Sequence, residues 1–336
     1  MGILKPLKLP ITCNPVSSMK GKNIQAAIAY MFCAVYIYVC VFIAVLLIIF
    51  NKAVLSSFNF PYANVITLFQ ITCSCFLLYV MRFWKIISFS NNDEESNTIL
   101  LVPFKSLLHT IPLASSYLLY MLASMESVRG ISIPMYTALR RTTIALTMVA
   151  EYLLVGKKHS YPIIVSVAVI LLGAFVAGAG DLSFDLQSYT IVFISNICTA
   201  VYLALVVRIV RTTGLNSFGI MWCNGLICGP VLLIWTLICG DLEAAAKFDQ
   251  LFNRGFQVVM MLSCIMAFML NYTVYLNTTL NSPLTQSVCG NLKDLLTIGF
   301  GWILFGGLPF DSLNVVGQSI GFLGALFYAY CKLKGK

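Results

Sequence analysis

Charge is scarce in this sequence. Of its 336 residues only 10% are Asp, Glu, Lys or Arg, against about 25% in a soluble domain, while 60% are hydrophobic. A chain so depleted cannot cover its own surface in water, which excludes an ordinary soluble fold. Histidine is nearly absent: His109 and His159 are the only two, both near loop edges, and no acidic metal cluster accompanies them. That scarcity leaves little with which to build a membrane enzyme. Asp93-Glu94-Glu95 reads as a solvated loop. Cysteine is plentiful by comparison, with 12 residues, but Cys33, Cys73, Cys198, Cys264 and Cys289 fall inside apolar runs and read as small buried hydrophobes. Neither Cys73–Cys75 nor Cys223–Cys228 has the second pair and histidine of a zinc site, so no metal or cofactor is expected. Arginine is missing from residues 1–23, which carry four lysines and two serines and are unlike an Arg- and Ser-rich transit peptide.

What is present is apolar sequence in long runs, and a helix needs about 20 such residues to cross the hydrocarbon. Ten runs qualify, at about 26–50, 62–81, 106–124, 132–155, 161–179, 187–207, 217–239, 256–275, 284–305 and 311–331. The expected fold is an all-α polytopic membrane protein of ten transmembrane helices with the lipid bilayer as solvent. An even number of spans puts both termini on one side. Fourteen of the 21 Lys and Arg flank the spans on the side of the termini, and four (Lys52, Arg129, Lys247, Arg254) lie opposite. The positive-inside rule then places both termini in the cytosol, and the net charge of +9 becomes a topology signal rather than a nucleic-acid footprint. The acceptor triplet Asn277-Thr278-Thr279 falls on the cytosolic side and is expected to stay unglycosylated.

The two halves resemble each other weakly. Leu153-Leu154-Val155-Gly156 is similar to Leu304-Phe305-Gly306-Gly307, and Leu172-Gly173-Ala174 recurs as Leu323-Gly324-Ala325, both at an offset of 151 residues. Five spans per half are an odd number, so the second half enters the membrane from the opposite face. The expected organisation is a 5+5 inverted repeat, residues 26–179 and 187–331, between cytosolic tails 1–25 and 332–336.

Three cations lie inside spans: Arg140 and Arg141 in the fourth, Lys293 in the ninth, its repeat mate. Each costs at least ~2.5–3.5 kcal/mol near the bilayer centre. Their acidic neighbours in the same spans, Glu151 and Asp294, are the candidate charge partners. Three cations against two anions leave a positive charge that an anionic substrate would balance. Gly290, one turn before Lys293, removes a side chain where a ligand or a neighbouring helix could approach. Tyr117, Tyr120, Tyr202, Trp222 and Tyr272 are candidates to stack on a nucleobase.

The stretches 134–151 (PMYTALRRTTIALTMVAE) and 286–307 (QSVCGNLKDLLTIGFGWILFGG) resemble the nucleotide-sugar transporters of the drug/metabolite transporter superfamily. They are most like the plant Golgi UDP-N-acetylglucosamine/UDP-N-acetylgalactosamine transporters. Asn51-Lys52 fits the wider triose-phosphate-translocator-like branch. The resemblance implies a non-enzymatic antiporter that takes a cytosolic nucleotide sugar into the Golgi lumen in exchange for a nucleoside monophosphate. In the related GDP-mannose transporters, a Phe-Tyr-Asn-Asn motif contacts the nucleotide side and a Gly-Ala-Leu-Asn-Lys motif the sugar and phosphate side. The matching positions here read Met221-Trp222-Cys223-Asn224 and Gly290-Asn291-Leu292-Lys293-Asp294. The resemblance therefore adds Trp222, Asn224 and Asn291 to the substrate-binding candidates Arg140, Arg141, Gly290 and Lys293. Lys293 stands one position before the family lysine, which argues for a UDP-sugar over a GDP-sugar. A plastid phosphate or sugar-phosphate translocator is the other reading within the fold. Lys332 and Lys334 resemble a di-lysine signal read by a coat protein for cycling through the endoplasmic reticulum, and equally an ordinary positive-inside flank.

Overall fold

The computed structural model describes residues 62–90, 102–127, 133–179, 186–248, 250–293 and 312–334, with scattered positions between 39 and 60. The tail 1–25, most of the first expected span, Asp294 with the rest of the ninth span, and Lys336 lie outside these residues. The described chain is helical. Its helices are α1 (Ala63–Phe83), α2 (Phe104–Ser127), α3 (Ile133–Arg140), α4 (Thr142–Val155), α5 (Tyr161–Gly178) and α6 (Leu186–Thr213). They continue as α7 (Ser217–Ile238), α8 (Asp241–Ala246), α9 (Arg254–Leu280), α10 (residues 283–293) and α11 (Ser312–Leu333). Among the described residues six helices are long and apolar enough to cross a membrane: α1, α2, α5, α6, α7 and α9.

Helix ends follow local chemistry rather than the edge of the apolar run. The sixth span, expected to stop near residue 207, runs on through Arg208 and Arg211 until Gly214 turns left-handed at φ +70°. The eighth, expected to stop near 275, continues to Leu280, just before Ser282-Pro283 opens the next helix. These helices run on past the end of their apolar runs. The expected fourth span is two helices, α3 and α4, divided at Arg141. The polar stretch after α7, expected as a connection, contains the short helix α8, held to α1 by Asn64 Nδ2 donating to Asp241 Oδ2 at 2.9 Å.

Large apolar side chains cover the outside, among them Phe76, Leu153, Phe175 and Ile238, all more than 60% exposed. In a bilayer this is the solvated face. The interior holds apolar clusters as well, and its helices are joined by small residues and buried polar groups. The most extensive helix contact is α5 against α11, where a Cβ on Gly173 would sit 2.5 Å from Gly321 N and 2.6 Å from Gly317 O. Only glycine permits so close a backbone approach. The contact repeats with its partners exchanged, since a Cβ on Gly324 would sit 2.9 Å from Ile170 N. Elsewhere Gln70 Nε2 donates to Asn51 Oδ1 (3.0 Å) and Ser263 Oγ (2.8 Å), tying the segment before α1 to α1 and α9. Helices from the two ends of the chain intermingle: α1 packs on α7 and α9, and α2 and α4 on α6.

Candidate functional site

The division between α3 and α4 falls at the arginine pair. The Arg141 N–H bonds Ala138 O at 3.2 Å, a tighter spacing than an α-helix makes. A broken helix frees backbone groups that the bilayer cannot satisfy. Here the Leu139 carbonyl accepts from Asn196 Nδ2 on α6 (3.0 Å) and from the Thr142 hydroxyl (2.8 Å). Asn196 also donates to Thr142 Oγ1 at 3.0 Å and is 1% exposed. Sequence reasoning missed this residue; a single asparagine within the apolar run of α6 was the available signal.

The break sends the two arginines to different partners. Arg140 Nη1 donates to the Tyr136 hydroxyl at 2.8 Å, with its guanidinium 5.5 Å from the ring centroid. Tyr136 Oη is in turn 3.1 Å from Ser124 Oγ on α2. Arg141 is buried and turns towards α11, donating to Gly317 O at 3.2 Å and to the Gln318 side chain. Its guanidinium occupies the space beside Gly321 that any larger residue would fill.

The third cation, Lys293, arrives on α10. Pro283 suits the first turn of that helix, and Ser282 Oγ accepts the Thr285 N–H at 3.2 Å as its cap. Two contacts fix α10 antiparallel to α4: Leu284 N–H to Glu151 Oε2 at 3.3 Å, and Thr147 Oγ1 to Ser287 Oγ at 3.4 Å. At 1.5 Å per residue, Arg141 and Lys293 each lie about 14–15 Å along the chain from the Glu151–Leu284 contact. Residues 282–289 are buried, whereas 290–293 are half-open. A Cβ on Gly290 would meet nothing within 4 Å. Beside it, Asn291 Nδ2 is buried and has no hydrogen-bond partner among the described residues. A desolvated amide donor next to open space and two residues before Lys293 is arranged to meet an acceptor with negative charge.

Glu151, expected among the charge partners of these cations, is placed elsewhere. It is 1% exposed and pairs with Lys157 Nζ at 2.9 Å, with His159 Nε2 at 3.7 Å. The reason is helical rise, since eleven residues separate it from Arg140 by about 16 Å. His159, in the loop after α4, has its imidazole pushed below the ordinary range by burial and, less, by Lys157, while Glu151 pulls it upward. Asp294 lies outside the described residues.

On α7, Asn224 and Trp222 also part company. Asn224 is buried and lines a small cavity of about 20 Å³, room for about one water, with Ser74, Cys75, Tyr117, Asn271 and Tyr275. Tyr117 belongs to an aromatic cluster with Tyr120, Tyr202 and Tyr275, ring centroids 5.5–6.3 Å apart. Trp222 instead stacks on Phe89 at 5.5 Å and an interplanar angle of 20°, where residues 84–90 dock onto the start of α7. Tyr272 stacks on Phe218 at 4.3 Å. Ser74, Asn271 and Tyr275 were not singled out from sequence, because their face of the helix is decided by packing.

Relatives are found along nearly the whole chain. The UDP-N-acetylglucosamine transporter UGNT1 of Arabidopsis thaliana is 57% identical over 95% of this chain and 91% of its own length. The nucleotide sugar transporter SLC35D2 of Homo sapiens is 32% identical over 94% and 89%, and the UDP-sugar transporter UST74c of Drosophila melanogaster 32% over 85% and 74%. A crystal structure of a protein with 10% identity superposes with TM-score 0.62 over 88% of this chain and 96% of its own, a likeness of fold alone. The model of the Triose-phosphate Transporter family matches residues 27–329, and with that match the chain belongs to the Triose-phosphate Transporter family.

Proposed function

We propose that this protein is an antiporter that carries a UDP-sugar, of the UDP-N-acetylglucosamine/UDP-N-acetylgalactosamine type, into the Golgi lumen in exchange for UMP. The observation that carries the reading is the buried Asn291 amide, without a hydrogen-bond partner among the described residues, beside the open space at Gly290 and two residues before Lys293. A diphosphate answers both needs of such a site, charge and acceptor oxygens. The likeness to the Arabidopsis, human and Drosophila nucleotide-sugar transporters supports the substrate class. Arg140, Arg141 and Lys293 hold the phosphates, with Gly290 and Asn291 beside them. Asn224 faces the nucleoside from the cavity it shares with Tyr117 and Tyr275, and Trp222 acts through the packing of α7.

The site does no chemistry. It binds substrate and product comparably, and UMP keeps a phosphate, so it resets the same site from the luminal side. An empty site with charges to balance resists closure, which favours obligatory exchange. The same reading takes the chain as ten spans in a 5+5 inverted repeat, residues 26–179 and 187–331, with tails 1–25 and 332–336 in the cytosol. The exchanged Gly173–Gly321 and Gly324–Ile170 contacts, at the offset of 151 residues seen in the sequence, support that symmetry. A coat protein reading Lys332 and Lys334 would have to draw Lys332 off Thr285, which makes a positive-inside flank their simpler role.

The test is uptake of labelled UDP- and GDP-sugars into proteoliposomes preloaded with UMP, GMP or buffer. Uptake of a UDP-N-acetyl sugar stimulated by UMP alone is expected. Uptake of GDP-sugars, or flux indifferent to UMP, overturns the reading.

A further inference from the structure

The end of α10 remote from Lys293 is sealed. Burial runs unbroken from Ser282 to Cys289 and relaxes at Gly290. The seal is polar at its centre. Glu151 accepts the Leu284 N–H, one of the unpaired donors at the start of α10, where a carboxylate is also favoured by the helix dipole. On its other side the chain doubles back through Gly156, left-handed at φ +73°. That turn returns both the Lys157 N–H to Glu151 O (3.5 Å) and the Lys157 ammonium to Glu151 Oε1 (2.9 Å). Tyr328 of α11 adds a contact to Thr285 at 2.9 Å.

Glu151 therefore has two kinds of partner. Lys157 and His159 follow it in the chain and stay near it wherever α4 goes. The Leu284 N–H belongs to α10. When α10 withdraws, the carboxylate keeps its ion pair, so opening breaks a hydrogen bond without stranding a buried charge. A contact of that kind can be made and broken in each cycle. The packed Ile144–Leu284–Val288 cluster beside it aligns the helices without supplying such a switch.

We propose that Glu151 is a positioning residue that latches α10 against α4, and that its release from the Leu284 N–H opens the Lys293 site to that side of the membrane. The proposal rests on reading Lys293 as a substrate residue and adds the contact that controls access to it.

The test uses a native thiol. Cys289 is 5% exposed on α10, between the latch and Lys293. The full chain, in sealed proteoliposomes, is treated with a membrane-impermeant maleimide from each side in turn. Modification is read by peptide mass spectrometry, with buried Cys228 and Cys264 as references. Glu151→Ala is expected to raise Cys289 labelling by roughly tenfold or more, from one side only, the references unchanged. Glu151→Gln, which keeps an acceptor but loses the ion pair, is expected to fall between, and it decides the matter if the alanine variant does not fold. Unchanged Cys289 labelling in a folded variant overturns the latch, and so does an equal rise at all three cysteines. Labelling needs no substrate, so failure of nucleotide-sugar uptake leaves this outcome readable by itself.

Discussion

Gly173 of α5 lies against the backbone of Gly321 of α11, so close that a Cβ on Gly173 would stand 2.5 Å from Gly321 N. The atom met is backbone, which cannot step aside as a flexible side chain can. Gly173→Ala is therefore expected to destabilise the protein by about 1–3 kcal/mol, the usual cost of overpacking. Thermal unfolding in detergent checks it. Gly290→Ala is the control: its new methyl meets nothing within 4 Å, so its unfolding temperature should hold while substrate affinity falls.

The neighbouring arginines should separate into two phenotypes. Arg140 donates to partly buried Tyr136, whereas Arg141 is buried among α11 backbone and Gln318. Arg140→Ala and Lys293→Ala should lower uptake about 10–100-fold, the worth of one charge-assisted hydrogen bond, with unfolding temperature retained. Arg141→Ala should lose both uptake and stability, since it also leaves the Gly317 carbonyl short of a donor. Equal losses of stability in all three would refute the division.

Trp222 and Asn224 are two residues apart on α7 and should fail differently. Trp222→Ala removes the ring that Phe89 stacks on, and is expected to cost about 3–5 kcal/mol and to loosen residues 84–90, measurable by hydrogen exchange. Asn224→Ala opens no such gap; it should weaken UMP binding more than it lowers the unfolding temperature.

His159 gives the protein a pH dependence of known sign. Its folded imidazole titrates below the ordinary range because burial disfavours the charged form, a shift Lys157 reinforces and Glu151 opposes. Its stabilising contribution is present above the ordinary imidazole pKa of about 6.5 and is lost as pH falls through that value towards the folded one. Unfolding temperatures between pH 7.5 and 5 should decline for the native chain, and the decline should flatten in His159→Gln.

The membrane class and the family were written in composition and motif. Apolar run length, charge asymmetry and the Gly-x-Leu-Lys stretch are local signals, and local signals survive in sequence. The acceptor triplet at Asn277 shows the limit of reading them alone. Asn277 is 1% exposed and donates to Gln286 at 2.5 Å, so its lack of a glycan would follow from burial and carry no orientation.

What only tertiary structure decided was which partner each special residue meets. Adjacent arginines look equivalent in sequence, but a break in the helix turns one to Tyr136 and the other to α11. Glu151 shares a helix face with Arg140, yet the rise per residue carries it to the far end, where a left-handed glycine folds Lys157 back onto it. Trp222 and Tyr272 look available for a nucleobase until their rings are seen stacked on Phe89 and Phe218. A bilayer offers no water to satisfy a buried charge or a freed carbonyl, so these groups must find protein partners. Those partners come from distant parts of the chain, which no local pattern of residues can name.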